Sequence, residues 1–137
     1  MRGSPDLCVW IVEALGGNVY TDSSGVPAVE AAPTRGTTTD GETLRPSAVT
    51  ALLAGALELA LQQAAPPGIR AKIVDLNCGW IAEPRGQVSA IVERQLLARM
   101  SWQPGRDSTL RAYLVDVRTR AVIADAEAVV AIDARRK

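Results

Sequence analysis

The sequence predicts an α+β fold in which a curled antiparallel sheet wraps around one long central helix. The stretch from Thr43 to Gly86 has a nearly all-apolar helical pattern followed at once by an alternating, strand-like pattern. The chain then repeats the alternating pattern three times before its end. A length of 137 residues suits one domain, 1–137, that can bury a substantial core.

The predicted helix is apolar on most of its circumference. From Ala48 to Leu61, alanine, valine and leucine leave only a narrow polar stripe, and such a helix has to be buried. Pro46 suits the first turn, because the N–H that it lacks has no carbonyl partner there. A Pro-Pro-Gly run at 66–68 ends the helix.

Four alternating segments predict the strands that surround this helix, because side chains in a strand point to opposite faces in turn. In the first segment the apolar face is Val74, Leu76, Cys78, Trp80 and Ala82, and the opposite face is Asp75, Asn77 and Gly79. The second segment has Val88, Ala90, Val92, Leu96 and Ala98 on one face, and the third has Leu110, Ala112 and Leu114. The fourth has Val122, Ala124, Ala126, Ala128, Val130 and Ile132, with Asp125 and Glu127 opposite.

The first forty residues have a weaker pattern. Leu7 to Leu15 fits a strand or a short helix, and residues 16–18 (Gly-Gly-Asn) fit a tight turn into Val19 and Tyr20. Residues 21–40 are rich in Ser, Gly, Pro and Thr, which predicts a loop with one brief strand.

The central part of the chain resembles a known family. The run 43–47 (Thr-Leu-Arg-Pro-Ser), the apolar helix, the strand 73–77 (Ile-Val-Asp-Leu-Asn), Pro84 and the closing hairpins look like hotdog-fold acyl-CoA thioesterases of the phenylacetate-pathway type. The resemblance covers roughly residues 40–132. It implies a hotdog fold, a homodimer or a dimer of dimers, an acyl-CoA ligand and an active site between two subunits.

The sequence departs from this family where the chemistry is done. Members usually have a His-Gly-Gly-like run whose backbone N–H groups receive the thioester carbonyl, and a helical Asp or Glu that activates water or attacks the thioester. In the matching register Arg45 replaces the histidine, and Pro46, which has no N–H, replaces the first glycine. Ala54 or Gly55 stands at the position of the acid, and neither can move a proton.

Helix geometry suggests a substitute acid. Thr50, Ala54, Glu58 and Gln62 recur every four residues, so they form one stripe with about 6 Å between neighbours. If this stripe faces a cleft between subunits, desolvation would disfavour the charged form of Glu58 and make it a usable general base. The alternative is that Glu58 faces solvent near the end of the helix.

Further residues are candidates for ligand binding. The helix start near Ser47 offers N–H groups and a partial positive charge to a carbonyl or phosphate, and Arg45 lies beside it. Asn77 could bond across strands or toward the ligand. CoA phosphates could contact Arg85, Arg99 or Arg106. Trp80 and Trp102 could line an acyl tunnel or pack in the core.

Composition excludes several functions. Without histidine, Ser-His and Cys-His relays are impossible, and no metal or cofactor site is predicted. Fifteen basic and fifteen acidic residues give zero net charge, which argues against nucleic acid and anionic membranes as partners. Glu58 interrupts the longest apolar run, so a spanning helix is not predicted, and the start of the chain lacks a secretory pattern. We therefore expect a cytoplasmic protein.

Three functions stay open at this point. The first is hydrolysis of an acyl-CoA thioester, assisted by the helix-start N–H groups and Glu58. The second is binding of an acyl-CoA or another apolar acid without catalysis. The third is an assembly role in which dimer formation is the main outcome.

Overall fold

The computed structural model describes residues 17–21, 25–32, 38 and 43–134. In this part of the chain six strands form one antiparallel sheet, and the longer of two helices packs against it. The elements in chain order are β1 (Gly17–Thr21), β2 (Pro27–Ala31), α1 (Pro46–Ala64), β3 (Ile69–Trp80), β4 (Val88–Val92), α2 (Arg94–Ala98), β5 (Asp107–Asp116) and β6 (Val122–Ala134).

The strand order in the sheet is β1-β2-β4-β5-β6-β3, and every neighbouring pair is antiparallel. Helix α1 contacts β2 to β6 from one side of this sheet. This arrangement confirms the predicted hotdog architecture. Strand β3 ends the order, so within the described residues only one of its two edges is paired, with β6.

Helix α1 is the centre of the core, as predicted. It begins at Pro46 and ends at Ala64, and Gly68, with φ +80°, supplies the turn into β3. Its leucines at 52, 53, 57 and 61 are at most 2% exposed. Helix α1 is also long and apolar enough to cross a membrane. However, 56% of its most apolar segment is buried inside the fold, which is typical of the core helix of a globular protein.

The sheet face toward α1 is formed by the alternating residues of the two long central strands. The predicted apolar face of β5, Leu110, Ala112 and Leu114, is fully buried. The predicted face of β6 is at most 1% exposed over Ala124, Ala126, Ala128, Val130 and Ile132. Because these side chains are mostly small, the helix can approach the sheet closely.

Two predicted face assignments are wrong because bulges insert an extra residue. In β3 the pairing with β6 shifts between Ile73 and Asp75, so Val74 leaves the apolar face and is 54% exposed. In β6 the pairing with β5 shifts at Ile123, which is 3% exposed, while Val122 is 40% exposed.

Two segment assignments also need correction. Leu96 and Ala98 belong to the short helix α2, since β4 ends at Val92. Near the start of the chain, Gly17 and Asn18 lie in β1 and not in a turn, and the brief strand predicted between 21 and 40 is β2, paired with β1. The segment Leu7 to Leu15 lies outside the described residues.

The tight β5–β6 connection predicts a pH-dependent contribution to stability. Asp116 Oδ1 accepts the backbone N–H groups of Thr119 at 2.9 Å and Arg118 at 2.8 Å, and these bonds hold the pKa of the Asp116 carboxyl below its ordinary value of 3.8. The stabilisation is therefore present above that value and is lost as the pH falls through the lower pKa of the folded state. We expect Asp116→Ala to lower Tm at pH 7 and to lower it less at pH 3, which lies below the ordinary pKa of 3.8.

Thermal melts at both pH values check this expectation, with Asp107→Ala as the control for removing an exposed carboxylate. An equal loss of Tm for Asp116→Ala at both pH values would show that the charged, hydrogen-bonded form is not what stabilises the turn.

Candidate functional site

A cavity of about 410 Å³ lies where α1 begins and β3 ends. Its lining is largely apolar and consists of Thr43, Leu44, Pro46, Trp80, Ile81, Ala82, Glu83 and Pro84. We call it the helix-start pocket. Backbone bonds fix its two walls to each other, because the Leu44 N–H donates to Pro84 O at 3.1 Å and Thr43 bridges Arg85.

The helix start lies beside this pocket, because Pro46, the first residue of α1, is part of its lining. Since α1 begins at Pro46, the N–H groups of Ser47 and Ala48 have no carbonyl partner within the helix. The extended residue Arg45 precedes the helix and makes no side-chain cap. Its guanidinium Nε instead donates to the Thr38 carbonyl at 3.0 Å, which ties the chain before the helix to the segment around residue 38.

The pocket continues into an exposed apolar surface. Trp80 is 47% and Ile81 is 67% exposed, so both side chains keep much of their apolar area in water. The Ile81 and Ala82 N–H groups both donate to Ile123 O, at 2.8 and 3.1 Å, which fixes the backbone that carries these side chains. Exposed apolar area beside a cavity is typical of a surface that binds a ligand or a partner.

One carboxylate lines the pocket, and sequence reasoning missed it. Glu83 Oε2 accepts bonds from Arg85 Nε at 3.3 Å and Arg85 Nη2 at 3.0 Å. Both side chains are more than half exposed, so the pair lies at the mouth of the pocket. Of the predicted binding residues, Arg45 and Ser47 flank the pocket-lining Pro46 in sequence, and Arg85 pairs with the pocket-lining Glu83, but none of the three lines the pocket itself.

The predicted polar stripe of α1 runs beside β3 and away from the pocket. Thr50 Oγ1 lies 3.9 Å from Cys78 Sγ, which fixes the stripe against the strand. Ala54 is half-buried and Glu58 is exposed. At 1.5 Å per residue, Glu58 is about 18 Å along the axis from Pro46, so Glu58 and the N–H groups at the start of the same helix cannot act on one carbonyl.

Two predicted binding residues lie elsewhere. Gly55 is on the buried side of α1. Asn77 is exposed and stands opposite Glu127 of β6, on the sheet face that points away from the helix. The structure therefore brings neither Gly55 nor Asn77 to the helix-start pocket.

The remaining candidates for ligand contact, Trp102, Arg99 and Arg106, also lie outside the lining of the helix-start pocket. Trp102 packs against the core, while Arg99 and Arg106 are exposed in the connection from α2 to β5. In the described ranges, 17–21, 25–32, 38 and 43–134, no group of three or more His, Cys, Asp or Glu residues is placed to hold a metal ion.

Comparison with known proteins gives a fold but no close relative. No protein-family model matches the sequence, and no curated protein is similar to it. The chain is similar to the solved structure of thioesterase HI1161 from Haemophilus influenzae, with a TM-score of 0.73 and 10% identity over 100% of this chain and 95% of that chain.

Two further solved structures are similar. PaaI from the phenylacetic acid degradation operon of E. coli has a TM-score of 0.66 and 14% identity, covering 93% of this chain and 88% of its own. BH2602 from Bacillus halodurans, solved with CoA, has a TM-score of 0.65 and 11% identity, covering 83% and 70%. The chain therefore has the hotdog fold of thioesterase-like proteins.

Proposed function

We propose that this hotdog-fold chain binds acyl-CoA thioesters in the helix-start pocket, at an interface between two copies of itself, and hydrolyses them slowly. The observation that carries the proposal is the apolar cavity of about 410 Å³ at the start of the buried helix. Its apolar walls suit an acyl group, and the N–H groups of Ser47 and Ala48, in the first turn of the adjoining helix, would receive the carbonyl oxygen. The similarity to thioesterase HI1161 and to the CoA complex of BH2602 supports the ligand class.

The proposed ligand would use the two ends of the pocket differently. The acyl group would lie against Trp80 and Ile81, whose exposed apolar area it would remove from water. The carbonyl oxygen would accept from the N–H groups of Ser47 and Ala48. The CoA phosphates would remain outside the pocket and would contact Arg85, which pairs with the lining residue Glu83, and Arg45, which precedes the helix.

Hydrolysis by this chain would begin when the oxygen of a water molecule attacks the thioester carbon. The carbon–sulfur bond then breaks, the acid leaves as a carboxylate, and the thiolate of CoA takes up a proton. Glu58 could take the proton from water only for a carbonyl held near Ala54, one turn away from it. In that position the carbonyl would be about 10 Å from the N–H of Ser47. The Glu58 carboxylate and the N–H groups at the helix start therefore cannot assist the same carbonyl.

We therefore expect slow thiol release from a panel of acyl-CoAs. A carbonyl held at the N–H groups of Ser47 and Ala48 is out of reach of Glu58, so Glu58→Gln should change the rate by less than about twofold, whereas losing a general base costs at least about tenfold. Thiol release followed with a chromogenic disulfide measures both rates. Gln63→Glu, at an exposed position near the same end of α1, controls for changing charge there. A rate at least about tenfold lower in Glu58→Gln would place the reacting carbonyl near Ala54 and contradict binding at the helix start.

A second candidate is binding without turnover. It is favoured by Pro46, which offers no N–H, by Ala54 at the position of the family's acid, and by the distance of Glu58 from the helix start. Thermal stabilisation by an acyl-CoA without thiol release would support it. If saturating acyl-CoA neither raises Tm nor releases thiol, the third possibility, an assembly role, is favoured.

The same proposal includes oligomeric state and location. Within the part of the chain that the structure describes, one edge of β3 is unpaired. This edge and the exposed apolar side chains beside the pocket favour a homodimer, with a dimer of dimers as an extension. We infer a cytoplasmic protein, because its ligand class is intracellular.

A further inference from the structure

We propose that Glu83 is the general base for hydrolysis in the helix-start pocket. The inference rests on the acyl-CoA ligand of the proposed function and adds the group that takes the proton from water. It follows from three properties of Glu83: its place in the lining of the pocket, the backbone bonds on either side of it and the geometry of its pair with Arg85.

The pocket has a carboxylate at the same end of α1 as the helix-start N–H groups. Of the described residues that line the cavity of about 410 Å³, only Glu83 carries an ionisable side chain, and Pro46, the first residue of α1, lines the same cavity. Glu58 is about 18 Å along the helix axis from Pro46, which is too far to assist a carbonyl held at the helix start. Glu83 is therefore the carboxylate that is placed to act on water beside such a carbonyl.

The backbone of Glu83 lies between two attachments. On one side the Ala82 N–H donates to Ile123 O at 3.1 Å, which ties the segment to the sheet. On the other side Pro84 O accepts the N–H of Leu44 at 3.1 Å, just before α1 begins. These bonds hold residue 83 next to the chain that leads into the helix, so the carboxylate and the helix start keep a fixed relation before any ligand binds.

Arg85 orients the Glu83 carboxylate through one of its two oxygens. The Nε and Nη2 groups of Arg85 both donate to Glu83 Oε2, at 3.3 and 3.0 Å. The pair therefore does not use Oε1, which can accept a hydrogen bond from a water molecule. Both side chains are more than half exposed, so water has access to the carboxylate.

The proposed step needs no reactant besides water and the thioester. Glu83 Oε1 takes a proton from the water molecule while the water oxygen bonds to the thioester carbon, and negative charge develops on the carbonyl oxygen beside the N–H groups of Ser47 and Ala48. When the carbon–sulfur bond breaks, the thiolate of CoA receives the proton from Glu83. The carboxylic acid product loses its own proton to solvent, and Glu83 is again a carboxylate.

Glu83→Gln tests this role, because glutamine keeps the size of the side chain and does not take up a proton. We expect kcat for an acyl-CoA to fall at least about tenfold, without any loss of affinity for a non-hydrolysable thioether analogue. Glu83→Ala should lose the same activity and regain part of it when formate is added as an external base. Thiol release measures the rates, and isothermal titration calorimetry measures the affinity.

The matched control is Glu127→Gln, which also removes an exposed carboxylate that is paired with an arginine. Arg111 Nη2 donates to Glu127 Oε2 at 2.8 Å, on the sheet face that points away from the helix. Glu127→Gln should leave kcat unchanged, and formate should not change the activity of Glu127→Ala.

An unchanged kcat in Glu83→Gln, or an equal loss in Glu127→Gln, overturns the assignment and leaves the acyl-CoA proposal standing. Heavy oxygen from labelled water in the Glu83 side chain after turnover would show that the carboxylate itself attacks the thioester, which also overturns its role as a base. A wild type that binds the analogue and releases no thiol overturns it as well. A wild type that neither binds the analogue nor releases thiol overturns the proposed ligand.

Discussion

Replacing Leu53 with alanine is expected to lower the free energy of unfolding by about 2–5 kcal/mol. Leu53 is fully buried in the middle of α1, where the sheet surrounds it, so the truncation loses apolar burial and leaves a cavity. Urea denaturation at a fixed protein concentration measures the effect, since dissociation of a dimer would otherwise shift the midpoint.

The control for Leu53→Ala is Val117→Ala, at a residue that is 39% exposed next to the β5–β6 turn. It should change the free energy of unfolding by less than about 0.5 kcal/mol. Similar small losses for both variants would contradict a fold organised around a buried α1.

Replacing Trp80 with alanine is expected to weaken the binding of a long-chain or aromatic acyl-CoA by about 10- to 100-fold. The indole is 47% exposed beside the cavity, and a bound acyl group would bury much of that area. Trp80→Phe should retain most of the affinity, because it keeps an aromatic surface. Isothermal titration calorimetry with a non-hydrolysable thioether analogue measures the affinity without turnover.

The affinity for free CoA, which has no acyl group, is the control for the Trp80 experiment. Its affinity should be unchanged by Trp80→Ala, and Val117→Ala should change neither affinity. An equal loss for free CoA and for the acyl-CoA would show that Trp80 does not contact the acyl group.

Local pattern was sufficient to predict the core elements. The apolar circumference from Ala48 to Leu61 required burial, and Pro46 together with the Pro-Pro-Gly run at 66–68 marked its ends within two residues. The strict alternation of β5 identified its buried face correctly. Side chains of a strand alternate between two faces, so only one face can turn to the core once one of them is apolar. These features depend on neighbours in sequence and not on tertiary contacts.

The errors come from features that alternation cannot reveal. At Val74 and Ile123 one extra residue shifts the face, and both bulges exist only relative to a neighbouring strand. Leu96 continued the apolar alternation of β4, yet the chain turns into a helix there. A pattern of side chains contains no information about where the partner strand stops.

The site was predicted in part for a related reason. Arg45 and Ser47 were proposed because a helix start has a sequence signal, and the structure places them on either side of the pocket-lining Pro46. Ile81 and Glu83 were missed, since they join the pocket only through the contacts of Leu44 with Pro84 and of Ile81 with Ile123. Glu58 follows from helical spacing, but its separation from the pocket depends on where β3 ends against α1.

The most direct test of the account is a crystal structure of the protein with a non-hydrolysable acyl-CoA analogue. We predict two copies joined along β3, with the acyl group against Trp80 and Ile81 at the start of α1. A ligand bound away from this pocket, in copies whose β3 edges do not meet, would contradict the account.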